Sequence, residues 1–70
     1  MNLNDVNLSV GAYYGTFSNA PSNGDGFLIQ LGSGSGWYNA QLYITAAYPV
    51  GQLWVRAYNS GQWYDWHKCT

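Results

Sequence analysis

The sequence predicts an all-β fold: a small antiparallel sheet of about five strands, joined as a meander. Three observations carry this expectation. Tracts rich in Tyr, Trp, Val, Ile and Phe recur with alternating side-chain character, the period-two signature of strands. Short clusters of Gly, Asn, Ser, Asp and Pro separate them, which is turn chemistry. No tract carries the 3.6-residue period of a convincing helix. Sequential strands with short links most simply pair with their neighbours.

The elements follow in order. Residues 3–9 carry Leu3, Val6 and Leu8 and read as a helical turn or an irregular lead-in, with Asn4 or Asp5 suited to a cap. Gly11 breaks the chain, and residues 12–17 read as a strand through Tyr13, Tyr14, Thr16 and Phe17. Residues 18–26 form a loop, and residues 27–31 form a second strand with Phe27, Ile29 and Leu31 on one face. Residues 32–36 are a Gly/Ser link. Residues 37–47 form a long third strand, with Tyr38, Ala40, Leu42 and Ile44 on one face and Asn39, Gln41, Tyr43 and Thr45 on the other. Residues 48–51 are a turn. A hairpin closes the chain. Leu53, Val55 and Ala57 oppose Trp54, Arg56 and Tyr58, the turn is Asn59-Ser60-Gly61, and Trp63, Tyr64 and Trp66 lie on the returning strand.

This pattern gives the sheet an aliphatic face and an aromatic, polar face. An apolar face has to be covered, and no second layer is visible in the pattern. A chain of 70 residues buries a modest core and usually needs support from disulfides, metal or oligomerisation. One cysteine, Cys69, permits no intrachain disulfide, and one histidine, His67, provides no ordinary zinc site. Oligomerisation or a larger parent chain is the help this points to, folding alone stays open with 19% aromatic residues, and the uncovered face argues for self-association or curling into a barrel-like shape.

Charge narrows the function classes. Charged residues make up 7% of the chain, and the net charge is −1 with two basic residues, so a nucleic-acid footprint is not expected. No apolar run has the length of a membrane span, and no secretory leader is visible after Met1. A surface of amides, hydroxyls and aromatic rings suits copies of itself or uncharged polar ligands such as sugars. Catalysis is not expected. Asp5, Asp25 and Asp65 are the side-chain carboxylates, there is no glutamate, and His67 with Cys69 lacks an orienting third group. Asn23 and Asp25 could offer oxygens to calcium, but the spacing fits no EF-hand and a plain turn accounts for them. No cofactor or metal is expected, and Cys69 reads as a free thiol.

Trp54, Arg56 and Tyr58 share one strand face, with Gln41 and Tyr43 on a neighbouring strand as polar partners. As a binding site they would form a sugar platform, with a ring stacking on a pyranose and Arg or Gln bonding hydroxyls. The plainer reading, which we favour, is packing in a core or interface, with Arg56 stacked on Trp54 or paired with Asp65. Trp63 and Trp66, three apart, should face opposite sides of a strand, and Tyr64 with Trp66 should share a face as a second patch.

Taken together, Leu3-Asn4-Asp5-Val6, Gly11-Ala12-Tyr13-Tyr14, Asn19-Ala20-Pro21, Gln41-Leu42-Tyr43-Ile44, Val55-Arg56-Ala57-Tyr58-Asn59 and Gly61-Gln62-Trp63-Tyr64-Asp65-Trp66 resemble the knob domains of R-type pyocin and tailed-phage tail fibres. The resemblance runs over nearly the whole chain and is most specific at the closing Val-Arg-x-Tyr-Asn-x-Gly-x-Trp-x-x-Trp. It implies a homotrimeric β module in a fibre that attaches to host cell-surface polysaccharide. It also implies a virion or phage-tail-like particle made in the bacterial cytoplasm. The chain departs from the pattern at Cys69, where an aliphatic residue is expected, and in ending directly after the Trp-Tyr-Asp-Trp segment. The expected function is therefore structural and adhesive; the alternative is a free-standing lectin-like carbohydrate-binding module.

Overall fold

The computed structural model describes residues 1–32 and 36–69. The described residues contain no helix, and their strands form one antiparallel sheet. The strands are β1 (Gly11–Gly15), β2 (Gly26–Gly32), β3 (Tyr38–Thr45), β4 (Leu53–Asn59), β5 (Gln62–Trp63) and β6 (His67–Cys69). The order is β1-β2-β3-β4, and β5 and β6 share the outer edge of β4. The expected strands are therefore present. The returning strand is split in two, and most of the expected Gly/Ser link lies outside the described residues.

The β4–β5 turn is tight because Ser60 and Gly61 both take positive φ, 51° and 89°, as a two-residue hairpin turn requires. Asn59 was expected to supply that freedom. It instead ends β4, paired with Gln62.

The edge strand carries one extra residue. Tyr58 pairs with Trp63 and Val55 with His67, so two residues of β4 (Arg56 and Ala57) face three on the edge (Tyr64, Asp65 and Trp66). The Tyr64 N–H still donates to the Ala57 carbonyl at 3.0 Å. Such a bulge reverses the side-chain alternation beyond it. Trp63 and Trp66 therefore share a face, against the expectation for two strand residues three apart. The expected Tyr64–Trp66 patch is broken for the same reason: Tyr64 is exposed and Trp66 packs on the core.

Strand register assigns every side chain to one of two faces. Tyr14–Phe27–Ile44–Leu53, Ala12–Ile29–Leu42–Val55 and Leu31–Ala40–Ala57 are cross-strand rungs of the apolar face. Tyr13–Leu28–Tyr43–Trp54 and Gln30–Gln41–Arg56 are rungs of the other.

The chain covers the second of these faces, not the aliphatic one. Its core is Leu3, Leu28 and Tyr43, with Leu8, Tyr13, Phe17, Ala20, Trp54 and Trp66 packed around it. The covering layer is irregular backbone. Leu3 and Ser18 are tied by Leu3 N–H to Ser18 O at 3.0 Å and Ser18 N–H to Met1 O at 2.9 Å. Phe17 and Trp66 each meet the Tyr43 ring edge-on, with centroids at 6.4 and 6.1 Å. Gly26 is required beneath that ring, because a Cβ there would lie 2.2 Å from Tyr43 Cζ.

Candidate functional site

Of the residues singled out from sequence, Gln41 and Arg56 meet inside the protein, where Gln30, which was not among them, joins them, while Tyr64 stands exposed. Gln30, Gln41 and Arg56 lie side by side on β2, β3 and β4. Gln41 is 0% and Arg56 8% exposed. Gln41 Nε2 donates to Gln30 Oε1 and to the Leu3 carbonyl, both at 2.8 Å. Arg56 Nε donates to Gln41 Oε1 at 2.7 Å, and Arg56 Nη2 to the same Leu3 carbonyl at 2.9 Å.

The guanidinium also lies against two indoles. Its central carbon is 4.1 Å from the Trp63 ring centre and 4.5 Å from that of Trp66. Trp63 is placed there by its pairing with Tyr58, and Trp66 by the edge-strand bulge that follows. Trp63 Nε1 donates to the Asn4 carbonyl at 3.1 Å, and Trp66 Nε1 to the Asn19 carbonyl at 3.0 Å. One arginine thus joins the N-terminal arm, the sheet and the C-terminal edge. Burial lowers its pKa to about 10, so it remains a cation at neutral pH. The two aromatic faces and two carbonyl oxygens stabilise that charge in place of water.

These side chains do not form the exposed surface that the alternative, a sugar platform, requires. Gln41 and Tyr43 are fully buried, Arg56 is nearly so, and Trp54 packs on the core. Tyr58 is half-buried, in an edge-on contact with Trp63 at 5.2 Å. The packing reading holds for this group, with different partners: Arg56 stacks on Trp63 and Trp66, not on Trp54, and bonds Gln41 and Leu3, not Asp65. The missed signal was the extra edge residue, since a single Asp65 between Tyr64 and Trp66 does not by itself mark a bulge.

Asp25 has a structural role too. Its carboxylate accepts from the Thr16 and Tyr14 hydroxyls, and its carbonyl accepts from the Ala46 and Ala47 N–H groups. Tyr43, whose hydroxyl donates to the Gly24 carbonyl at 3.2 Å, has its pKa raised by burial and, secondarily, by the Asp25 charge. Among the described residues no cluster of three metal-ligating side chains forms. Cys69 is an exposed thiol at the end of β6, opposite Leu53.

Two kinds of surface remain. The aliphatic face is open to solvent, with Phe27 48%, Ile29 40% and Leu31 46% exposed. A depression of about 210 Å³ lined by Leu31, Gly32, Tyr38, Asn39 and Ala40 lies at one end of it, smaller than ordinary ligand pockets. Elsewhere Trp37, Tyr48 and Tyr64 stand exposed outside the strands. Compared with protein-family models, with curated proteins and with solved structures, the chain matches none of them.

Proposed function

We propose that this chain is a structural and adhesive module of a phage or phage-tail-like fibre, assembled in three copies and contributing to attachment at host cell-surface polysaccharide. The observation that carries the adhesive part is the character of the exposed surface. It is nearly free of charge, with the rings of Trp37, Tyr48 and Tyr64 exposed on a chain whose polar residues are mostly Asn, Ser, Gln and Thr. Aromatic rings beside amides and hydroxyls suit neutral sugars, whose C–H faces stack and whose hydroxyls bond. The resemblance to tail-fibre knobs supports the fibre, its three-fold order and its place in a virion. A non-catalytic role agrees with carboxylates that are few and, at Asp25, committed to the fold.

The test is a titration with neutral oligosaccharides, read by tryptophan fluorescence. Binding at about 1 mM, worth about 4 kcal/mol, gives a saturable change that Trp37→Ala abolishes and Trp63→Phe retains. The absence of any response from representative hexose, aminosugar and deoxysugar oligomers sinks the adhesive reading and leaves a purely structural module.

A further inference from the structure

The open aliphatic face is the largest feature that the chain's own contacts leave unexplained. It spans β1 to β4, and its three rungs carry no charged side chain. The covering segments, residues 1–10 and 16–20, are bound to the opposite face through Leu3, Phe17 and Ala20. We propose that a second copy of this chain packs on it, sheet face to sheet face.

Area, composition and shape favour this occupant. Tyr14, Phe27, Ile29, Leu31 and Tyr38 all lie on this face and are 61%, 48%, 40%, 46% and 56% exposed. Large side chains each carry roughly 200 Å² when free, so these five alone present roughly 500 Å². The partly exposed Leu42, Ile44, Leu53 and Val55 extend the patch. A typical monomer's largest apolar patch is about 300–600 Å², and a stable interface takes about 800 Å² per partner. A charged partner would gain nothing from a face without countercharges, whereas the same face on another copy matches it in polarity and extent. Two such sheets pack about 10 Å apart with interdigitated side chains, and the depression beside Leu31 and Ala40 can accept a projecting side chain of the other copy. The inference stands on the face alone and is independent of the fibre reading: like faces packed on each other close at two copies, whereas that reading assembles three.

The experiment measures mass and surface protection together. In a Cys69→Ser background, a thiol is introduced by Ile29→Cys on the open face or by Val50→Cys on the exposed 48–51 turn. These mild changes keep the fold, which circular dichroism checks. Mass comes from light scattering coupled to size exclusion, and thiol reactivity from a chromogenic disulfide reagent over a dilution series. The expected result is an oligomeric mass with the thiol at position 29 reacting at least tenfold slower than that at 50, a difference that disappears on dilution. A mass of two copies with that protection supports the inference and overturns three-fold assembly. An oligomer with equally reactive thiols overturns the inference and leaves the fibre reading standing. A monomer at every concentration overturns the inference and the three-copy assembly, while the glycan titration still decides the adhesive part.

Discussion

Arg56→Lys distinguishes a structural arginine from a ligand-contacting one. The substitution keeps the charge and most of the stem, but not the planar fork. The arginine donates at 2.7 Å to Gln41 and at 2.9 Å to Leu3, with its central carbon 4.1 and 4.5 Å from two indole centres. An ammonium in that space makes one of the two bonds at best. One lost hydrogen bond from a charged donor costs about 1.5–3 kcal/mol. Weakening the cation–π contacts with Trp63 and Trp66 costs about 1 kcal/mol more. The sum, about 3 kcal/mol, is a large part of the roughly 4–10 kcal/mol that holds a 70-residue domain together. With an m-value of about 1 kcal/mol/M, the urea midpoint falls by about 3 M. The assay is equilibrium unfolding followed by tryptophan emission, which reports the two indoles that touch the guanidinium. A midpoint shift under about 0.5 M refutes the reasoning and returns Arg56 to the list of surface recognition residues.

Two further substitutions probe the core around Tyr43. Gly26→Ala places a methyl 2.2 Å from the ring and loses about 2 kcal/mol by urea unfolding; with Tyr43→Leu the two losses fall short of additive by at least about 1 kcal/mol, and full additivity contradicts the contact. Tyr43→Phe costs about 1 kcal/mol at neutral pH through the lost bond to Gly24. The hydroxyl's pKa is raised in the folded state, so its stabilising contribution is complete below about pH 10 and is lost as pH rises further. Stability measured from pH 8 to 11 therefore falls less steeply in Tyr43→Phe than in the wild type, and parallel curves count against the burial of this hydroxyl.

The strands and their two faces were legible because alternation is a local property. Leu53, Val55 and Ala57 do oppose Trp54, Arg56 and Tyr58. What alternation does not encode is which face the chain covers. The covering layer is loop backbone from residues 1–10 and 16–20, which carries no period. Composition pointed to the wrong face as well, since Gln30, Gln41 and Arg56 are residue types ordinarily found outside. They are interior because each supplies the other's partner, and the remaining acceptor, the Leu3 carbonyl, is distant in sequence. The stacking of Trp63 and Trp66 on one cation was hidden by a single inserted edge residue.

The two faces carry different information. The aliphatic face cannot fix strand register well, because Ile, Leu, Val and Ala are interchangeable neighbours at similar spacing. The polar rung can. Sliding β3 by one residue against β2 would turn Gln41 away from Gln30 and Leu3 and leave buried polar groups without partners. Burying amides and an arginine gives little net stability compared with an apolar core of equal size. The benefit is a single alignment of three strands and of the N-terminal arm upon them. That alignment lines up the residues of the opposite face in continuous rungs, so the buried polar network determines the geometry that the open apolar face presents to a second copy.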